Sequence, residues 1–188
     1  MSLSSKTGIC NRALVKLGCN PATNIETDDT KESRTLNGMY DYIRDAELQA
    51  HTWNFSKKRV ILSPLVAAPD FEYEYYYQLP SDFLSIFYIV NDPEYEIEGD
   101  KILTDSGDEL QLVYIARITD TTLFSSLFVE ALACQLALES CETITQSNTK
   151  YQLLFEKYKE TIVLAKRANA ITLHTRGKAE SEWLEARL

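Results

Sequence analysis

The spacing of hydrophobic residues changes twice along this chain, and the change limits the folds open to it. Near the start, Ile9, Ala13 and Leu17 recur at the spacing of an α-helix, and Gly18 follows where a left-handed C-terminal residue is favoured. From 60 to 118, apolar residues alternate with polar ones, as in half-buried strands. Helical spacing then returns. The pattern predicts helices on both sides of a strand-rich segment.

The predicted fold class is therefore α+β: an antiparallel helical bundle with an inserted small antiparallel β-sheet region. The chain has 188 residues, a length that suits one domain with a sizeable insertion. The predicted division is 1–59 for the N-terminal helices of the bundle, 60–118 for the β-rich insertion, 119–169 for the C-terminal helices, and 170–188 for a tail that binds a partner.

Local signals give the ends and faces of the helices. Asp29 and Glu32 resemble a capping box for the second helix, and a polar residue within 120–122 is expected to cap the third. Arg44 and Glu47 fall outside the apolar stripe of the second helix, so we expect them to be solvated. The four helices are predicted over 5–17, from 29 or 30 to about 52, from about 122 onward, and 149–169.

The strand-rich segment has its own signals. Tyr73, Tyr75 and Tyr77 alternate with polar residues, which predicts one half-buried strand face. Gly99 separates two short alternating runs and indicates a hairpin, because glycine readily adopts a positive φ. One sheet is expected, with strands over 73–78, 83–90, 95–98, 101–104 and 110–115.

The negative charge is concentrated in this segment. The formal net charge of the chain is −9, but residues 70–111 hold twelve acidic residues and one basic residue. That segment therefore carries −11, and the rest of the chain carries +2. Tight nucleic-acid binding depends on neutralising phosphates, so the balance argues against a nucleic-acid-binding function.

Motifs for catalysis are absent from the sequence. There is no phosphate-binding loop, dinucleotide fingerprint, zinc-protease helix or nucleophile elbow. His51 and His174 are the only histidines, and we interpret His51 as a packing or capping residue at a helix end. We therefore expect no enzyme, no cofactor and no metal. A hydrolase whose carboxylates converge in space is the alternative.

The alternating acids Asp92, Glu94, Glu96 and Glu98 share a strand face and could bind calcium, although the spacing of an EF-hand loop is missing. A solvated or subunit-facing row is favoured.

The four cysteines include no C-x-x-C pair and are expected to be small buried hydrophobes. No apolar run reaches membrane length and the start has no signal-like core, so synthesis in the cytoplasm and no membrane association are expected.

Seven segments, taken in order, resemble one family: the tubular tail protein A family of short-tailed bacteriophages, the head-to-tail adaptors. No single segment is specific, but the ordered set is. The segments are N-R-A-L-x-x-L-G at 11–18, Y-x-x-D-x-x-L at 42–48, W-N-F at 53–55, L-P-S-D at 79–82, I-E-G-x-K-I-L-T-D at 97–105, Y-I-x-R-I-x-D at 114–120, and F-x-x-L-F-x-x-A-L-A at 124–133.

The resemblance implies a structural protein of the virion. Subunits of that family assemble into a homo-oligomeric ring, twelve-fold in related tails, between the portal protein and the tail nozzle protein. Double-stranded DNA passes through the ring without sequence recognition when the genome is ejected. The acidic segment then either faces a basic helix of the neighbouring subunit or lines the channel.

Candidate contacts to the portal or to other subunits follow from exposed charge and aromatic content. A nucleic-acid-binding regulator is the remaining alternative. It would bind through the basic residues of the last helix, among them Lys150. The candidate interface residues are Tyr73, Tyr75, Tyr77, Glu96, Glu98, Lys157, Lys159, Lys166, Arg167, Trp183 and Leu184.

Overall fold

The computed structural model describes residues 5–172, in which four α-helices accompany two three-stranded antiparallel sheets. The α+β class predicted from the sequence is confirmed. The elements are α1 (Lys6–Leu17), α2 (Lys31–Gln49), β1 (Lys57–Leu62), β2 (Tyr75–Gln78), β3 (Phe83–Ile89), β4 (Glu96–Glu98), β5 (Lys101–Thr104), β6 (Leu110–Ala116), α3 (Ser126–Thr145) and α4 (Asn148–Ile171), with short 3-10 turns at Asn54–Ser56 and Thr121–Leu123.

Side-chain caps set the starts of the helices. The hydroxyl of Ser5 accepts from the amide of Gly8 at 3.0 Å, and α1 ends at Gly18 with a φ of 78°, as predicted. The cap of α2 is Thr30, one residue beyond Asp29. A cap for α3 within 120–122 was the wrong prediction: Asp120 caps the 3-10 turn, and Ser125 caps α3.

The helix α3 occupies the centre of the helical region and contacts α1, α2 and α4. Eleven of its residues are buried, and several are alanines, whose small side chains let neighbouring helices approach closely. Beside it, four aromatic rings form one cluster with centroids 4.9–6.0 Å apart. These rings belong to Trp53, Phe55, Phe124 and Phe128.

The strands form two sheets, where one was predicted. Sheet A has the order β1-β6-β3, and sheet B has the order β2-β5-β4. An isolated bridge pairs Pro64, two residues after β1, with Tyr77 of β2. Sequence analysis missed β1, since it began the strand-rich segment at residue 60. The predicted hairpin is β4–β5, and Gly99 has a φ of 59° there.

Arg44 and Glu47 are buried, contrary to the solvated placement expected from the helical wheel. They are only 5% and 6% exposed. Arg44 is bonded to Asp41 at 2.7 Å and to Asp45 at 2.8 Å, and Glu47 accepts from the hydroxyl of Tyr158 at 2.5 Å. Buried charge is tolerated where such partners replace water.

None of the described helices is long and apolar enough to span a bilayer.

Candidate interaction surfaces

The predicted tyrosine row divides between core and surface. Tyr77 is fully buried, and its hydroxyl donates to the carbonyls of Ser106 at 2.5 Å and Asp108 at 2.7 Å. Tyr75 packs against Gly107, where an added Cβ would lie 2.8 Å from the ring. These two tyrosines hold the β5–β6 turn onto sheet B. Of the three predicted interface tyrosines, Tyr77 is therefore a core residue and cannot reach a partner in this fold.

Tyr73 lies beside the acidic strand. Burial, followed by the negative charges of Glu96 and Glu94, raises the pKa of its phenol. Its side chain is half-buried. Tyr73 therefore lies in a region of concentrated negative charge at this end of sheet B.

Glu96 and Glu98 are exposed on β4, the outermost strand of sheet B. Ile97 points to the other face of that strand and is 42% exposed. We call residues 94–98 the acidic edge; its sequence is Glu-Tyr-Glu-Ile-Glu. Within residues 5–172 none of its three carboxylates has an ion-pair partner at salt-bridge distance. The edge therefore combines unpaired negative charge with two partly exposed apolar side chains.

The basic residues of α4 do not form one face. Lys159 and Lys166 are seven residues apart and share a side, whereas Lys157 and Arg167 project elsewhere, given 3.6 residues per turn. Lys159 is bonded to Glu156 at 3.3 Å. The predicted basic face is thus divided by geometry and partly neutralised by acids of the same helix.

Trp183, Leu184 and His174 lie outside the described residues. His51, the other histidine, packs edge-on against Trp53 with ring centroids 4.8 Å apart. Burial, and then the nearby charges of Lys166 and Lys57, lower its pKa. Its side chain acts in packing, as the sequence analysis expected.

Sheet A carries a surface that sequence reasoning missed. The register of its three strands brings Arg59 opposite Val113, Ile61 opposite Gln111, and Tyr88 beside Val113. Their side chains enclose an open groove of about 520 Å³ on the side of the sheet away from the main core. We call this surface the outer face; its residues are Arg59, Ile61, Tyr88, Val90, Gln111 and Val113.

The outer face is apolar at its centre and basic at its rim. Ile61 is 59% exposed, and Tyr88 and Val90 are also exposed. Arg59 has no ion-pair partner among the described residues, and the ammonium of Lys57 lies 4.4 Å from the ring centre of Phe87. Exposed apolar side chains that are contiguous and bordered by charge are typical of protein interaction sites.

An irregularity in β3 creates part of this surface. The register with β6 shifts between Ile86 and Tyr88, so two neighbouring aromatic residues, Phe87 and Tyr88, are both exposed. The sequence signal was present as Phe-Tyr-Ile-Val at 87–90, but strict alternation assigns half of such a run to the core. Only the bulge reveals which residues remain outside.

No three side chains of His, Cys, Asp or Glu converge as metal ligands within residues 5–172. The four cysteines are free thiols, and burial raises the pKa of Cys10 to about 12. A thiol of that kind is not ionised near neutral pH, so it is a poor nucleophile.

Residues of the seven sequence segments contact one another across the fold. Asp45 accepts from Arg117 at 2.7 Å, and Asp82 accepts from the hydroxyl of Tyr114 at 2.9 Å. Burial alone would raise the pKa of Asp82, but hydrogen bonds from Lys58 and Tyr114 outweigh it and lower the value. These pairs join α2 to the chain after β6, and the loop before β3 to β6 itself.

The first helix is fastened in the same way. Arg12 donates to Glu130 at 3.0 Å, and Lys16 bonds the second oxygen of that carboxylate. The segment Trp53-Asn54-Phe55 is connected to α4 by two hydrogen bonds between Asn54 and Asn169, at 2.9 and 2.8 Å.

Comparison with protein-family models and with curated proteins found no match for this chain.

Proposed function

We propose that this protein is a virion structural protein, a ring-forming head-to-tail adaptor. In this role it joins the portal protein to the tail nozzle protein and forms part of the conduit for DNA during ejection. Its helices form the antiparallel bundle of the ring wall, and its sheets extend from that wall. It carries out no catalysis and binds no cofactor.

The resemblance of seven ordered segments is the starting point of the proposal. Contacts between those segments, such as Asp45 with Arg117 and Asp82 with Tyr114, give a physical reason for their occurrence together. These two pairs join three of the seven segments in the fold, in keeping with the shared fold that the resemblance implies.

The single observation that carries the proposal is the presence of two separate surfaces of opposite charge on one subunit. The outer face of sheet A is apolar and basic, and the acidic edge of sheet B carries unpaired carboxylates. Two different patches that complement each other give head-to-tail association, which closes into a ring when the rotation between subunits permits.

The charge of the chain also suits a conduit. With a formal net charge of −9, the protein has little attraction for the phosphate backbone. DNA that must move through a channel needs a wall that does not hold it. Measured by fluorescence anisotropy, duplex DNA should bind the isolated protein with no salt-dependent affinity. A strong salt dependence would favour the nucleic-acid regulator.

The direct test is the assembly state of the full chain. We expect native mass spectrometry and negative-stain electron microscopy to give closed rings of one copy number, alone or with the cognate portal protein. The opening should be wide enough for duplex DNA. A strict monomer in every condition, portal included, would contradict the proposal.

A further inference from the structure

The outer face of sheet A needs a partner that is apolar at its centre and acidic at its border. Ile61, Tyr88 and Val90 expose carbon surface around an open groove, and burying such surface against a partner is favourable. Arg59 stands at the rim without a carboxylate partner in the described chain. A matching surface would supply both carbon and negative charge.

The acidic edge has that composition. Within β4, Ile97 projects to one side of the strand, and Glu96 and Glu98 project to the other. Tyr95, just before the strand, is 38% exposed. β4 is also the last strand of sheet B, so its outer backbone groups have no neighbouring strand within residues 5–172. An apolar pair flanked by three carboxylates is the counterpart of an apolar groove flanked by cations.

The basic side chains of α4 are a weaker partner for these acids. Lys159 already pairs with Glu156, and Lys157 and Arg167 lie on other sides of the helix. Arg59 and Lys57, by contrast, point to the same side of β1, because they are two residues apart in a strand. The cations of sheet A are therefore better grouped to receive a row of carboxylates.

We infer that the outer face of sheet A on one copy of this chain receives the acidic edge of the next copy. Because Ile97 lies on the opposite face of β4 from Glu96 and Glu98, the strand enters the groove edge-on: Ile97 and Tyr95 pack toward Tyr88 and Val90, and Glu96 and Glu98 face Arg59 and Lys57 at the rim on β1. The inference rests on the proposed ring and specifies its subunit contact. Each copy uses one surface and leaves the other free, so association continues head to tail until it closes.

Charge reversal on each surface tests the contact. Arg59→Glu and the double variant Glu96→Lys/Glu98→Lys should each weaken self-association by about a hundredfold, because like charges then face each other. Sedimentation velocity on the full chain measures the effect. Circular dichroism melting should stay unchanged, since all three residues are exposed.

Mixing the two variants gives the decisive result. In an alternating oligomer, the altered outer face of Arg59→Glu contacts the altered edge of the double variant, and these charges are opposite. The wild-type outer face of the double variant contacts the wild-type acidic edge of Arg59→Glu. An equimolar mixture should recover oligomers near the wild-type affinity, with the variants alternating. Arg167→Glu is the matched control on α4 and should associate as the wild type does.

The outcomes separate this contact from the proposed function. Oligomers that survive both reversals, a mixture that fails to recover, or loss of association in Arg167→Glu alone would overturn the contact and leave the ring proposal standing. A wild-type chain that is monomeric even with the portal would overturn both. Raising the salt concentration should weaken the wild-type contact, since rim charges are screened.

Discussion

The helical region and the two sheets differ in how their charges are satisfied. In the helical region, charged side chains that are buried or half-buried have partners inside the chain: Arg44 with two aspartates, Glu47 with Tyr158, and Glu130 with Arg12 and Lys16. In the sheets, the carboxylates of the acidic edge and the guanidinium of Arg59 have no ion-pair partner within residues 5–172. The first set of charges serves the fold, and the second set is free to meet a partner.

The apolar residues divide between core and surface within each region. The core side chains around α3 are buried, whereas Leu153 and Leu164 of α4, like Ile61, Tyr88, Val90 and Ile97 of the sheets, expose carbon surface. Substitutions of the buried residues around α3 should therefore act on folding. Substitutions on the outer face and the acidic edge should act on association and leave folding nearly unchanged.

The largest effect is expected at Trp53, which is fully buried in the aromatic cluster. Trp53→Ala removes that packing and the hydrogen bond from its ring nitrogen to the carbonyl of Glu47. Chemical denaturation should show a loss of about 3–5 kcal/mol in the free energy of unfolding. Tyr42→Ala, at an exposed position of α2, is the control; an equal loss there would break the comparison.

Glu130 comes next. Burial alone would raise its pKa, but hydrogen bonds from Lys16 and Arg12 outweigh it and lower the value. Glu130→Gln should cost about 1–2 kcal/mol at pH 7, a value reduced for partial exposure of the pair with Arg12.

The pH dependence of this substitution follows from the lowered pKa. Ionised Glu130 stabilises the wild type above its unfolded pKa, and that contribution is lost as pH falls through the folded value. The difference between wild type and Glu130→Gln should therefore shrink in acid. A difference that stays constant between pH 7 and acid for Glu130→Gln would refute the assignment.

Replacing Glu47 should affect stability in the opposite direction from replacing Glu130. Burial raises its pKa, although a hydrogen bond from Tyr158 partly counteracts this. Its ionised form therefore costs stability above the folded pKa, and the cost disappears as pH falls toward the unfolded pKa. Glu47→Gln keeps an oxygen for Tyr158 and should stabilise the protein by up to about 1 kcal/mol at pH 8. Denaturation at pH 8 and pH 4 checks this; destabilisation at pH 8 would contradict it.

The smallest effect on folding is expected at the outer face. Ile61→Thr retains a β-branched side chain on an exposed position, so the free energy of unfolding of the monomer should change by less than about 0.5 kcal/mol. Self-association should still weaken, because the groove loses apolar surface. A large loss of monomer stability would mean that Ile61 serves the fold.

Much of the fold could be predicted from local chemistry. The hydroxyl of Ser5 and the φ freedom of Gly18 set the ends of α1, and Gly99 set the β4–β5 hairpin, because each depends only on nearby backbone. The start of α3 could not be predicted, since Asp120 caps a 3-10 turn whose continuation depends on the packing of Phe124.

The candidate surfaces divide along the same line. The acidic edge was evident in the sequence as a row of alternating carboxylates. The outer face was not, because its residues come from three strands far apart in the chain, and Tyr88 is exposed only through a bulge in β3. Tyr77 was misassigned to an interface, since alternation gives a residue's side of a strand but not which side the core covers.

By itself, the sequence determined the order of the four helices and of five of the six described strands, the helix ends with local caps, and the charge of the strand-rich segment. These properties depend on neighbours within a few residues along the chain. The tertiary structure alone decided that the strands form two sheets and that Arg44 and Glu47 are buried. It also brought a basic apolar groove and an acidic edge onto one subunit. Those outcomes depend on pairings between distant residues, such as β1 with β6 and Glu47 with Tyr158, which no local pattern encodes.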